Sequence, residues 1–301
     1  MQTSFLDLAR RGKNEWWRYV LSTALILFFW IGGTAVLMVF LLAGSLFGKG
    51  ARLSVDPNTG QILGVDPLLL VTILLLSFLP LLAGLLLAVR FIHQRPVISL
   101  ITPFARIDWK RMAVGFLAFG ALGALGCVVE SLLYPGRYQF TFNLLETLKF
   151  LPVVLILVPF QAASEELLTR GYIMQGLGLL TRRAWIPVVV SSLVFMLLHI
   201  SNPEAQVDTL LSLGGYLAVG LLFALVTLKD NRLELAIGMH IANNVFALVV
   251  NTAVSALPVP SVFTVGTLDA GYNLIGAIVI GVIFYAGLHY FLRSKAPAEM
   301  V

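Results

Sequence analysis

The chain has 301 residues, 59% of them hydrophobic and 12% charged, with a mean hydropathy of +0.93 and a formal net charge of +5. Soluble globular domains carry charge on roughly a quarter of their residues, so this composition excludes that class and indicates an integral membrane protein. Membrane topology and attraction to anionic lipid account for the positive balance, so membrane lipid is the expected partner and nucleic acid is not.

Residues 1–18 (MQTSFLDLARRGKNEWWR) are polar and basic, and the apolar run after them is about twice the length of a signal-peptide core, which predicts a retained first span. Trp16, Trp17 and Tyr19 are placed at the headgroup level. Apolar runs of about 18 or more residues can each cross a hydrocarbon core of roughly 30 Å as a helix. Eight are predicted: Tyr19–Phe47, Pro67–Ile92, Met112–Tyr134, Phe150–Leu180, Trp185–Ile200, Thr209–Leu228, Leu233–Val254 and Gly271–Leu292. The fold class is therefore all-α, a polytopic bundle of about eight transmembrane helices forming one membrane domain over residues 1–301. The fourth run is too long for one straight crossing, and the fifth is short. GALGALG (Gly120–Gly126) and LGGYLAVG (Leu213–Gly220) are small-residue faces suited to close helix packing in lipid. The lone Cys127 excludes an internal disulfide.

With eight spans, 16 of the 20 Lys and Arg fall on the side of the N-terminus, leaving Lys49, Arg52, Arg137 and Lys149 on the other. Basic residues gather in cytoplasmic loops, so both termini are expected there, with the protein in a bacterial or archaeal inner membrane.

The fourth span carries VPFQAASEELLTRGYIMQGL, in which Glu165, Glu166 and Arg170 interrupt an apolar run. Glu165 lies about 17 residues before the turn at Arg182–Arg183, on the order of 25 Å along a helix, which buries it in the membrane. His199, about 16 residues after that turn, is expected at similar depth on the neighbouring helix. His240 and Asn244 in GMHIANN are four apart and share one helix face, but counting from Leu233 puts His240 shallower, so that helix must tilt, shift or start inside the bilayer.

His93 and His289 near span ends, and Glu130 at the end of span three, read as interfacial or helix-contact groups. Ser164 reads as a hydroxyl bonded to its own helix. Glu166 and Arg170, four apart, form an ion pair that lipid requires, and this leaves Glu165 with no cation. An intramembrane ionisable group without a structural partner marks a functional site. A carboxylate walled by apolar groups is a stronger base, able to take a proton from water. Water so activated can attack a peptide carbonyl, with a His N–H and an Asn amide as donors to the developing oxyanion and a second His orienting the carboxylate.

These residues resemble the three motifs of the CPBP family, the CAAX proteases and bacteriocin-processing enzymes also called Abi. EELLTR (Glu165, Glu166, Arg170) looks like EExxxR, FMLLH (Phe195–His199) like FxxxH, and HIANN (His240–Asn244) like HxxxN, in the family's order within residues 165–244. The resemblance implies an intramembrane endopeptidase with Glu165 as water-activating base, His199 as its partner, and His240 with Asn244 as the oxyanion site. Glu166, Arg170 and Phe195 are supporting residues. A carboxylate with fixed donors can do this chemistry unaided, so no cofactor and no metal are expected; the substrate is expected to be a peptide or protein that is membrane-bound or lipidated, and family members of eukaryotes cut prenylated CAAX proteins. Two other readings stay open: a zinc hydrolase using Glu165, His199 and His240, and a non-enzymatic scaffold, immunity factor or transporter.

Overall fold

The computed structural model describes residues 4–47, 53–58, 61–252, 254–266 and 268–294. Eleven α-helices follow in chain order: α1 (Trp16–Phe47), α2 (Pro67–Leu76), α3 (Phe78–Leu87), α4 (Trp109–Leu133), α5 (Leu144–Glu166), α6 (Gln175–Gly178), α7 (Trp185–Leu198), α8 (Pro203–Val207), α9 (Thr209–Asp230), α10 (Glu234–Val245) and α11 (Ala270–Ser294). α2 and α3 continue one another, and α5 runs through π-helical turns at Leu167–Met174 into α6. Asp66, Asp108, Asn143 and Asp208 each cap a helix by accepting a backbone N–H in its first turn.

Among the described residues six helices are long and apolar enough to cross a membrane: Trp16–Ala43, Pro67–Ile92, Trp109–Leu133, Leu144–Gly178, Thr209–Asp230 and Ala270–Tyr290. The polytopic helical bundle stands, while the expected eight full spans become six, with two short helices at the other positions. α7 has 14 residues, about 21 Å of helix, and stops before His199. α10 has 12 residues and stops at Val245, so the predicted span to Val254 is corrected. Its continuation, rich in β-branched residues, forms strand β4 (Val250–Thr252) instead. A short apolar run reads equally as buried helix or strand, and here the strand pairing decides.

Two small sheets accompany the helices. β1 (Ser54–Val55) and β2 (Ile62–Leu63) form a hairpin in the first loop, and β4 pairs parallel with β5 (Phe263–Val265), which pairs antiparallel with β3 (Tyr138–Phe140). The three-stranded sheet gathers the loops after α4 and α10 at one end of the bundle, where Glu204 Oε1 also accepts the Ala256 N–H at 2.7 Å. At the opposite end the N-terminal turn tucks Phe5 and Leu8 into the core, and Lys13 N–H donates to the His93 carbonyl at 2.7 Å. Of the basic residues used to orient the chain, Lys49, Arg52 and Lys295 lie outside the described residues.

α10 is the central element, pressed against α4. A Cβ on Gly238 would run into the Met112 carbonyl and one on Gly115 into the Leu235 carbonyl, so the two backbones touch only because both positions lack side chains. This crossing lies outside the two small-residue runs noted above. Within those runs Gly220 packs tightly, a Cβ there standing 3.3 Å from Phe195 Cδ1, whereas Gly215 faces open space.

Candidate active site

Four elements bring the charged residues together. Glu165 and Glu166 close α5, Arg170 follows one turn later in the π-helical segment, Phe195 and His199 come from the end of α7, and His240 and Asn244 come from α10. π-turns are rare and concentrate at functional positions. Glu166 and Arg170 are completely buried, and their ion pair at 2.8 Å is the one the spacing predicts. Arg170 also donates to Thr169 Oγ1 at 2.9 Å and to the Gly220 carbonyl at 2.7 Å, and its guanidinium lies over the Phe195 ring at 4.6 Å. α9 thus holds Arg170 by a backbone carbonyl that only a close approach brings within reach.

Glu166 does more than neutralise Arg170. Its Oε1 also takes the His240 Nδ1–H at 2.8 Å, which fixes that imidazole with Nε2 turned the other way. His199 is fixed similarly, its Nδ1–H donating to the Phe195 carbonyl at 2.7 Å. Both Nε2 atoms then converge on one oxygen, Glu165 Oε2, at 3.7 Å from His199 and 3.6 Å from His240. These separations are too long for hydrogen bonds. Glu165 Oε2 is buried with no hydrogen-bond partner.

The other Glu165 oxygen is anchored. Gln161, one turn earlier on α5, donates to Glu165 Oε1 at 2.6 Å and accepts from Asn244 Nδ2 at 2.7 Å. Asn244 keeps its second N–H uncommitted, since an amide has two. Phe195, 2% exposed, stands between the two imidazoles with ring centroids 4.5 Å from His199 and 5.7 Å from His240. A cavity of about 290 Å³ reaches the two imidazoles, lined by Phe195, His199, Tyr216, His240 and Asn244 among others, with Glu165 behind its wall. An apolar groove of about 520 Å³ between α4, α10 and α11 adjoins it, sharing Val219, Asn243, Asn273 and Ala277.

All seven residues named from the sequence therefore meet in one place. The count from Leu233 makes His240 shallower, yet its Nε2 stands 3.6 Å from Glu165 Oε2, so the two share one level. Gln161 and Tyr216 were not foreseen, although Gln161 stands four residues before Glu165 and so shares its helix face. Ser164 bonds its own helix as expected, donating to the Phe160 carbonyl at 2.6 Å. Glu130, paired with Arg137 and Tyr138, lies near the end of α4, away from this group. Among the described residues no three His, Cys, Asp or Glu side chains are arranged as a metal-binding group.

Residues 147–246, which contain the seven predicted site residues together with Gln161 and Tyr216, match the family described as type II CAAX prenyl endopeptidase Rce1-like. Over 291 residues, 96% of this chain and 96% of the other, the sequence is 28% identical to YyaK, an uncharacterised protein of Bacillus subtilis (strain 168). No solved structure matches.

Proposed function

We propose, from the match of residues 147–246 to the Rce1-like, type II CAAX prenyl endopeptidase family, that this integral membrane protein is a glutamate-dependent endopeptidase. The observation that carries the reading is the convergence of two imidazole Nε2 atoms on the unpartnered Glu165 Oε2, while Glu166 is committed to Arg170 and His240. Glu165 Oε2 takes a proton from water, and His199 orients the carboxylate. The hydroxide attacks the peptide carbonyl, whose oxygen gains the negative charge. His240, held through Nδ1–H by Glu166, donates from Nε2–H to that oxyanion, and the free Asn244 N–H is the second donor. The proton held by Glu165 then passes to the leaving amine, and the C–N bond breaks.

The substrate is a peptide or protein at the membrane. The apolar groove beside the cavity suits a lipid-borne or lipidated one. Both termini lie on the cytoplasmic side in this reading, which rests on the 16-to-4 split of Lys and Arg counted over eight crossings; a C-terminal reporter active only outside the cytoplasm contradicts this.

A zinc hydrolase would use the same convergence, since His₂Glu is a known ligand set with an open position. Digestion of a peptide library by the purified protein, with and without a zinc chelator, separates the readings. The glutamate mechanism predicts cleavage that survives chelation and disappears in Glu165→Ala. Loss on chelation with recovery on stoichiometric zinc transfers the role to the metal. Cleavage by Glu165→Ala at the wild-type rate removes the glutamate mechanism.

A further inference from the structure

Of the four side chains given direct roles, Glu165, His240 and Asn244 stand within helices, and His199 does not. α7 ends at Leu198, and His199 begins a turn closed by the Asn202 N–H to the His199 carbonyl at 3.0 Å. Helical backbone therefore does not by itself aim this imidazole, and the one hydrogen bond on its ring, from Nδ1 to the Phe195 carbonyl, leaves rotation about that bond open.

Tyr216, in the middle of α9, grips both ends of this turn. Its ring stacks on the His199 imidazole with centroids 4.2 Å apart and an interplanar angle of 28°. Its hydroxyl accepts from Asn202 Nδ2 at 2.8 Å. One rigid side chain on a long helix thus touches the first and last residues of a four-residue turn, one through its face and the other through its oxygen. Glu204, two residues beyond Asn202, continues the attachment: its Oε1 receives the Ala256 N–H and its main-chain carbonyl receives Ser212 Oγ at 3.0 Å. Burial pushes the Glu204 carboxyl up, while the Ala256 N–H, the His199 ring and the Tyr216 hydroxyl pull it back, which places it in the same network.

We infer that Tyr216 is a positioning residue, which with Asn202 sets the plane of His199 and so holds its Nε2 on Glu165 Oε2. The inference rests on the proposed partnership of His199 with Glu165. A ring held by the tilted Phe195 contact alone can swing about the Nδ1 hydrogen bond; the stack against Tyr216 blocks that swing. Misplacing a catalytic group by about 1 Å costs up to about 10²-fold in rate, so loss of the stack affects turnover.

Two measurements test this, one without any need for activity. Carbethoxylation of histidines by diethyl pyrocarbonate, mapped by mass spectrometry, reports how freely each imidazole nitrogen is presented. Tyr216→Leu is expected to raise the modification rate of His199 several-fold and leave His240 unchanged, whereas Tyr216→Phe, which keeps the stack, is expected to have a small effect. Unchanged His199 modification in Tyr216→Leu overturns the inference, whatever the kinetics. The second measurement is a double-mutant cycle on peptide cleavage. Tyr216→Leu is expected to lower kcat about 10-fold with KM nearly constant, and to add nothing in a His199→Ala background. A merely structural Tyr216 would lower the rate equally in both backgrounds, and that result overturns its action through His199. Should no peptide be cut by the wild type, the proposed peptidase reading falls, and the modification experiment alone still decides whether Tyr216 positions His199.

Discussion

Two histidine clusters in the bundle show what distinguishes a structural polar cluster from a reactive one. Near the N-terminal end His93, 3% exposed, uses both ring nitrogens: Nδ1–H donates to the Lys13 carbonyl at 2.8 Å, and Nε2 accepts from the Tyr172 hydroxyl at 3.0 Å. Beside it the buried Arg95 bonds Ser99 through Nε at 2.6 Å and through Nη2 at 2.9 Å, and also reaches Gln175. No fully buried side-chain nitrogen or oxygen of His93, Arg95 or Gln175 is left without a partner. In the candidate active site His199 and His240 use one nitrogen each for anchoring and turn the other toward Glu165 Oε2, while Glu165 Oε2, Glu166 Oε2 and Arg170 Nε have no hydrogen-bond partner. An unmet buried polar atom costs about 1–3 kcal/mol, more when charged, so a cluster that retains three is held together by the surrounding fold. Both clusters bury charge; the leftover valences separate them.

The largest effect expected from this contrast is on stability. Arg170→Met leaves the Glu166 carboxylate buried and uncompensated, and loss of one partner of a buried pair costs about 3–5 kcal/mol. The check is the thermal or denaturant midpoint of the purified protein in detergent. A midpoint equal to that of the wild type would mean that the pair does not hold the site together.

Next in size is the effect on turnover. His240→Ala and Asn244→Ala each remove a proposed oxyanion donor and are expected to lower kcat by about 10²–10³-fold while KM changes little. Steady-state cleavage kinetics give both constants, and a change confined to KM sinks the donor assignment.

In the structural cluster, His93→Phe leaves the Lys13 carbonyl and the Tyr172 hydroxyl without their partner. A loss of about 1–3 kcal/mol of stability is expected, with kcat per folded molecule unchanged. A large fall in kcat at full stability would erase the distinction between the two clusters.

The smallest effect is one of pH. Burial holds the His93 imidazole below the usual histidine range, helped by the nearby Arg95 and Arg18 and opposed by the Lys13 carbonyl and Glu15. A depressed folded-state value means that the unfolded chain binds the proton more readily. The folded state is therefore fully favoured above about pH 6.5 and loses stability as pH falls through and below that value. Melting midpoints between pH 7.5 and 5.5 are expected to fall in the wild type and to fall less in His93→Phe; equal slopes dismiss this contribution.

Much of the site was legible because its key relations are local. The i, i+4 spacing of Glu166 and Arg170 and of His240 and Asn244 is read directly from the chain, and each pair stands on one helix face. Depth counted from a turn worked for Glu165 and His199, which lie on a hairpin that shares its turn. For His240 the count from Leu233 gave a shallower position than the 3.6 Å approach of its Nε2 to Glu165 Oε2 allows. The strands β4 and β5 could not be read, since their pairing joins segments that are ambiguous one at a time. Tyr216 was hidden for a related reason: its partners His199 and Asn202 are 14 and more residues away, on a turn whose shape no local pattern announces.

The central claim is that adjacent glutamates divide their labour, Glu165 facing the substrate and Glu166 holding Arg170 and His240. The measurement is kcat and melting midpoint on the same preparations of wild type, Glu165→Gln and Glu166→Gln. Glu165→Gln is expected to keep the midpoint and lose at least about 10²-fold in kcat, as for removal of a general base. Glu166→Gln is expected to lower the midpoint. Cleavage by Glu165→Gln at the wild-type rate, in a protein that remains folded, would contradict the account.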